Sequence, residues 1–345
     1  MVQILTGTAL LLVVLALFTL FSYKAPQGMK AMGALASAAC ASFLVEAFHF
    51  SFFGEVFGIK FLEQVGGANG SMGGVAAAIL VPLALGVSPV YAVLVGLACS
   101  GFGILPGFIA GYITAFVVKF LEKKVPAGLD LIVIIIVGAP LARAIAMGMD
   151  PIVKGTLLQI GQVLIQAADA SPIVMGLILG GLITVVATAP LSSMALTSII
   201  GLTGIPMAVG ALSVFGSSFM NYVFFSKMKF GSKKDTISVA IEPLTQSDII
   251  SANPIPVYVT NFIGGAMSGI IVAMMGLEVS TPGTATPIAG FAISLAQNGT
   301  PALVAAAGCV VVSVLAGFIG YAIFKNTKIK TAAEIRGINP ENDAA

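Results

Sequence analysis

Long apolar segments alternate with short polar segments along the whole chain. Eight of the apolar segments have the length that a helix needs to cross a hydrocarbon core, about 17–25 residues. They are residues 2–22, 31–53, 103–121, 129–149, 172–188, 205–226, 255–276 and 301–324. This pattern predicts an all-α fold, in which helices pass repeatedly through a membrane.

Three further apolar segments are broken or short. Residues 73–101 are interrupted at VPLALGVSP. Residues 151–168 are apolar on one side only, so they either cross the membrane or lie at its interface. Residues 282–298 are rich in Gly, Pro and Thr. Segments too short or too broken to span are typical of re-entrant hairpins, whose backbone is tolerated only inside protein. We therefore predict a polytopic integral membrane protein with about ten transmembrane helices and re-entrant hairpins.

Composition supports the membrane assignment and narrows the chemistry. Charged residues make up 9% of the 345-residue chain, against about 25% in soluble domains, which leaves no soluble domain of useful size. The net charge of +2 gives no reason to expect a nucleic-acid partner. One histidine, three unpaired cysteines and no phosphate-binding Gly-Lys loop predict no metal, no cofactor and no catalytic residues of its own. Whether the chain counts as an enzyme component stays open.

Clusters of basic residues predict the orientation. Basic residues follow three of the apolar segments, as lysines within residues 119–124 and 227–234 and as Lys325, Lys328, Lys330 and Arg336 after the last. By the positive-inside rule these ends are cytoplasmic. The polar segment after residue 234 therefore begins at the cytoplasmic face. We expect one membrane transport domain over residues 1–330 and a polar cytoplasmic tail over residues 331–345.

A carboxylate followed by proline stands out in the segment SVAIEPLTQSDIISANPIP, residues 238–256. Pro243 disfavours helical backbone at Glu242, and the side chains that follow include Thr245 and Gln246. A carboxylate on non-helical backbone can accept two hydroxyl groups at once, as binding of a polyhydroxy compound requires. The alternative is a solvated loop in which Glu242 balances nearby lysines.

A second candidate is the sequence VEAFHF, where Glu46 and the single histidine, His49, share one helix face. Ionisable residues within a membrane usually face the protein interior or a water-filled cavity. The pair therefore predicts contact with a solute or a proton. The alternative is that both side chains lie near the end of their helix and face interfacial water.

Polar residues at two broken, Gly-rich points complete the candidate set. Such points expose backbone donors and amide side chains to a cavity, and they are equally typical of tight turns. The residues are Asn69 and Ser71 in GGANGSMGG, and Asn298 and Thr300 in AQNGTP.

The middle of the chain resembles a known family. The resemblance runs from KKVPAGLDLIVIIIVGAPLARAI through SPIVMGLILGGLITVV to SVAIEPLTQSDIISANPIP, and covers about 123–290. It is to enzyme IIC, the membrane subunit of bacterial sugar phosphotransferase systems. Ala240-Ile241-Glu242-Pro243 resembles the Gly-Ile-Thr-Glu-Pro motif of that family. Within the family, the chain looks most similar to the stand-alone IIC-like group of the perfringolysin-regulator type.

The resemblance implies a transporter of the bacterial inner membrane that works as a homodimer. Re-entrant hairpins would enclose a sugar, and Glu242 would contact its hydroxyls. Separate IIA and IIB proteins would deliver the phosphoryl group at the cytoplasmic face. The chain departs from glucose-type members, because ATAPLSSMALTS stands where they carry Gly-x-His. Two alternatives therefore stay open: a membrane sensor without phosphotransfer, and a proton-coupled transporter that uses Glu46 and His49.

Overall fold

The computed structural model describes residues 2–126, 128–168, 171–191 and 193–337. Helices make up nearly all of this part of the chain, and its only strand-like feature is one isolated bridge between Gly204 and Val279. The α-helices are α1 (Val2–Lys24), α2 (Gly28–Ala39), α3 (Lys60–Ser71), α4 (Gly73–Ala84), α5 (Pro89–Ala98), α6 (Ile104–Lys124), α7 (Asp130–Ala168), α8 (Pro172–Thr188), α9 (Ser193–Ile199), α10 (Gly204–Met228), α11 (Lys233–Ile241), α12 (Ser247–Ala252), α13 (Pro254–Met275), α14 (Pro287–Asn298), α15 (Thr300–Phe324) and α16 (Ala332–Arg336). Between α2 and α3 the helix continues in the wider π form, over Cys40–Leu44 and Ala47–Val56.

Six helical stretches in the described chain are long and apolar enough to cross a membrane. They are Gly28–Glu55, Ile104–Lys124, Asp130–Ala167, Gly204–Met228, Pro254–Met275 and Thr300–Phe324. Helices α3 and α4 meet at a bend of 53° and together add a seventh span, or a re-entrant loop. Helices Ala9–Lys24 and Pro172–Thr188 are apolar but shorter. The predicted all-α membrane fold is confirmed, whereas the count of about ten spans stays a prediction.

The sequence separates residues 129–149 from residues 151–168, but the structure joins them in one helix. Helix α7 runs without a break through Pro140 and Pro151. Each proline removes one backbone donor, and neighbouring helices or local adjustments can satisfy the freed carbonyl in a membrane protein. Proline therefore did not mark the end of a span here.

Helices α8 and α13 pack in close antiparallel contact and form the centre of the bundle. A Cβ atom added at Gly269 would meet the backbone of Gly176, and one added at Gly265 would meet the backbone of Gly180. Glycines that let two backbones approach are the usual way that membrane helices pack tightly. The hydroxyl of Thr184, one turn further along, lies 2.9 Å from the carbonyl oxygen of Asn261. Helices α10 and α15 pack beside α13.

Candidate functional site

Residues 230–253 lie between α10 and α13 and form a segment that we call the Glu242 loop; its second half, from Glu242 onward, is mostly buried. Its first helix, α11, begins with a capping box in which the side chains of Ser232 and Asp235 bond to each other's backbone amides. Glu242 ends α11 in extended backbone, with φ −150° and ψ 108°, as expected for a residue before proline. A short 3₁₀ turn, Pro243–Gln246, and helix α12 then lead back towards α13.

The Glu242 carboxylate is buried, with 6% of the residue exposed. Its Oε1 accepts one long hydrogen bond, from the backbone amide of Leu244 at 3.4 Å, and no other partner is present among the described residues. Burial raises the pKa of Glu242 from 4.5 to about 7, and the Leu244 amide opposes this shift. A carboxylate has about four acceptor positions, so most of its hydrogen-bonding capacity is unused among the described residues.

Thr245 and Gln246 follow Glu242, as the sequence requires, but their polar atoms have different uses. The Thr245 hydroxyl donates to the backbone carbonyl of Glu242 at 2.7 Å. The Gln246 amide nitrogen lies 3.4 Å from that hydroxyl, and its Oε1 accepts from Nη2 of Arg336 at 2.8 Å. Gln246 is thus part of a charged network that the sequence did not reveal.

Arg336, near the C-terminal end of the described chain, organises this network. Its Nη1 donates to Oδ1 of Asp235 at 2.6 Å, and its Nε donates to Oδ2 of Asp248 at 2.8 Å. Burial alone would raise the pKa of Asp235, but hydrogen bonds from Ser232 and Arg336 outweigh burial and lower it. Burial would likewise lower the pKa of Arg336, and the two aspartates raise it instead. One signal in the sequence pointed to the network: Asp235 and Asp248 flank Glu242 in a chain with few acids.

Two spaces of very different size adjoin the Glu242 loop. Leu244 and Ser247 line a void of about 10 Å³, too small for a solute. Thr245, Asp248 and Arg336 line a crevice of about 840 Å³, whose other walls come from α2, from the end of α4 and from α16. Ligand pockets commonly measure about 300–1,000 Å³. The crevice can therefore admit a sugar next to Thr245.

Glu46 and His49 do not bond to each other. The imidazole Nδ1 of His49 lies 3.2 Å from the carbonyl oxygen of Val45, and its ring packs near Phe53. The Glu46 carboxylate lies directly against Gly70, where an added Cβ would meet it. The structure thus brings Glu46 to the bend between α3 and α4, where the candidates Asn69 and Ser71 lie.

Asn69 and Ser71 bond to their own helix. The Asn69 amide donates to the carbonyl of Val65 at 2.9 Å, and the Ser71 hydroxyl donates to the carbonyl of Ala68 at 2.8 Å. Ser71 also lines a cavity of about 160 Å³. A solute role for these residues stays a prediction.

Asn298 and Thr300 lie far from the Glu242 loop. Asn298 accepts from the backbone amide of Glu278 at 3.1 Å and donates to its carbonyl at 2.8 Å, which fixes the turn before α14. Thr300 begins α15, whose 25 residues span about 37 Å. Lys330, whose backbone is hydrogen-bonded to Asn253 of the Glu242 loop, follows the other end of α15. The structure therefore does not bring this pair to Glu242, and their solute role stays a prediction.

The helical bundle, its broken helix α3–α4 and its buried carboxylate on non-helical backbone define a multi-pass membrane protein with the features of a transport component. A comparison with protein families identifies the particular family. Residues 29–336 match the family described as phosphotransferase system, EIIC, and the chain belongs to that family. It is therefore a membrane permease component of a sugar phosphotransferase system. A comparison with individual curated proteins found no match.

Proposed function

We propose that this EIIC protein binds a sugar, or a closely related polyhydroxy solute, through the carboxylate of Glu242. The observation that carries the proposal is the state of that carboxylate: it is buried and accepts one long hydrogen bond among the described residues. A buried polar group without its full set of partners is costly. Hydroxyl groups of a bound solute would supply the missing donors.

Selectivity for polyhydroxy compounds follows from the same geometry. A site built to bond hydroxyls rejects analogues that lack them, because its buried polar groups are then left unpaired. Thr245, whose hydroxyl lies beside Glu242 and whose side chain lines the crevice of about 840 Å³, is positioned to contribute a second contact. Gln246 contributes through its amide nitrogen, since its oxygen is bonded to Arg336.

The proposal includes the partners that this family implies. A separate IIB protein, charged by a IIA protein, would phosphorylate the solute at the cytoplasmic face of a homodimer in the bacterial inner membrane. The chain then contributes by positioning the solute hydroxyl, which is a large part of catalysis in phosphoryl transfer. The crevice supports this arrangement, because Thr245 and Asp248 of the Glu242 loop line it, and the loop begins at lysines that the positive-inside rule places at the cytoplasmic face.

The test is solute binding by calorimetry, in detergent, to the wild type and to Glu242→Gln. The substitution keeps the size of the side chain and removes its charge, and we expect it to abolish binding while the protein stays folded. Glu63→Gln is the matched control, because Glu63 pairs with Lys60 at the surface. Equal affinity in wild type and Glu242→Gln would refute the assignment.

A second assay separates the proposed permease from its two alternatives. Membrane vesicles that contain the protein, supplied with purified IIA and IIB partners in their phosphorylated form, should convert the bound sugar into its phosphate as IIB loses its phosphoryl group. Binding without any phosphorylated product would favour a sensor or regulatory protein. Uptake of unmodified solute that depends on a pH gradient would favour a proton-coupled transporter.

A further inference from the structure

Residues 330–337, which we call the C-terminal strap, close the base of the Glu242 loop. Asn253, at one end of the loop, donates to the carbonyl of Lys330 and accepts from its amide, both at 2.8 Å. Phe230, at the other end, accepts from the amide of Ala332 at 2.7 Å. The strap thus holds the two ends of the loop together through backbone atoms.

Arg336 makes a second connection, between the two limbs of the loop. Asp235 belongs to α11, which leads to Glu242, whereas Gln246 and Asp248 belong to the returning limb. The guanidinium bonds to all three, at distances of 2.6 Å, 2.8 Å and 2.8 Å. The five donors of a planar guanidinium suit such an arrangement, and a lysine ammonium could not reproduce it.

The limbs need such a connection. Helices α11 and α12 have 9 and 6 residues, and isolated helices of that length are marginal in stability. Glu242 lies where they meet, and the one hydrogen bond to its carboxylate among the described residues, at 3.4 Å, holds that group weakly. The position of the carboxylate is therefore set by the limbs, and the limbs are joined by Arg336.

We propose that Arg336 is a positioning residue for solute binding: it fixes the two limbs of the Glu242 loop and so holds the Glu242 carboxylate in place at their junction. The inference rests on the proposed function, since it assumes that Glu242 binds the solute. It extends that function to a residue in the polar C-terminal segment, remote from Glu242 in the sequence. Arg336 does not touch the Glu242 carboxylate and acts through Asp235, Gln246 and Asp248.

The experiment compares Arg336→Ala, Arg336→Lys and a control, Lys325→Ala, in solute binding and in hydrogen exchange. Lys325 is exposed and lies outside the network, so its variant removes a charge from the same end of the chain without touching the loop. We expect Arg336→Ala to lower solute affinity about tenfold or more, within the range of typical coupling between sites. Arg336→Lys should recover part of the loss, because it keeps the charge and loses the fork of donors.

Hydrogen exchange separates positioning from general stability. Backbone amides of residues 239–246 should exchange faster in Arg336→Ala, while those of α8 and α13 should keep the wild-type rate. Faster exchange in all of these segments together would mean that Arg336 only stabilises the whole protein, and would overturn the proposal. Asp248→Asn is a milder variant for the same measurements should Arg336→Ala fail to fold.

Glu242→Gln in the same binding assay shows which of the two proposals fails. If Glu242→Gln binds solute normally, the proposed function is wrong. If Glu242→Gln loses binding but Arg336→Ala and Asp248→Asn retain wild-type affinity, the solute site stands and the positioning role of Arg336 is wrong.

Discussion

The raised pKa of Glu242 makes the stability of the protein depend on pH in a way that one substitution should remove. The pKa is about 7 in the folded protein and 4.5 for an unperturbed side chain, a difference that corresponds to about 3 kcal/mol. Glu242→Gln keeps an oxygen that can accept from the Leu244 amide, and it cannot ionise. The variant therefore isolates the cost of burying the charge.

The sign follows from proton binding. The folded protein binds the Glu242 proton more tightly than the unfolded chain does, so this contribution to stability is fully present below about pH 4.5. It is lost as the pH rises through about 7. We expect Glu242→Gln and the wild type to have nearly equal free energies of unfolding near pH 4, and the variant to be more stable by about 3 kcal/mol near pH 8.

The assay is thermal unfolding in detergent, followed by the loss of helical circular dichroism, which can be recorded across the whole pH range. The midpoint of Glu242→Gln should rise above that of the wild type between pH 4.5 and pH 7 and stay above it. The control Glu63→Gln, whose side chain is partly exposed and paired with Lys60, should follow the wild type throughout. Parallel curves for Glu242→Gln and wild type would refute the burial of an ionisable carboxylate.

Two further predictions concern packing and the strap. Gly269→Ala would place a methyl group against the backbone of Gly176, so we expect the free energy of unfolding to fall by about 1–3 kcal/mol and the unfolding midpoint to fall with it. The control is Gly148→Ala, which has open space around the added methyl group and should not lower the midpoint. Asn253→Ala removes both bonds to Lys330, so the strap should exchange its amides faster and be trimmed sooner by carboxypeptidase. Unchanged exchange would show that the bond from Ala332 to Phe230 and the contacts of Arg336 hold the strap without Asn253.

Three of the long helices were predictable from hydrophobic pattern alone. Helices α10, α13 and α15 match three predicted spans, 205–226, 255–276 and 301–324, within a few residues at each end. The glycines within these segments were compatible with helix, because membrane helices use glycine for close packing. The break within residues 73–101 also lies where expected, between α4 and α5.

The site was predictable in part, and the missing part depends on contacts distant in sequence. The Glu-Pro pair alone predicted non-helical backbone at Glu242, because that effect is local. Arg336 could not be placed from its neighbours, since its partners Asp235 and Asp248 lie about 90–100 residues away in the chain. The predicted cytoplasmic tail, residues 331–345, begins inside the C-terminal strap, and its residues 338–345 lie outside the described residues. The predicted domain boundary at residue 330 stays a prediction.

Tertiary contacts also separate Glu46 from His49, two candidate residues that their spacing in the sequence had paired. A spacing of three residues placed Glu46 and His49 on one helix face, but that stretch is largely π-helical and the two side chains do not meet. Glu46 instead lies against Gly70, a contact that only the fold of α3 onto this helix creates.

The most direct test of the central claim is a thermal-shift screen of sugars, carried out near pH 8 on the wild type and on Glu242→Gln. A ligand that binds the folded state raises the unfolding midpoint, and the effect grows with its concentration above the dissociation constant. We predict that at least one sugar raises the midpoint of the wild type and leaves that of Glu242→Gln unchanged. An equal rise in both proteins would contradict the claim that Glu242 holds the solute.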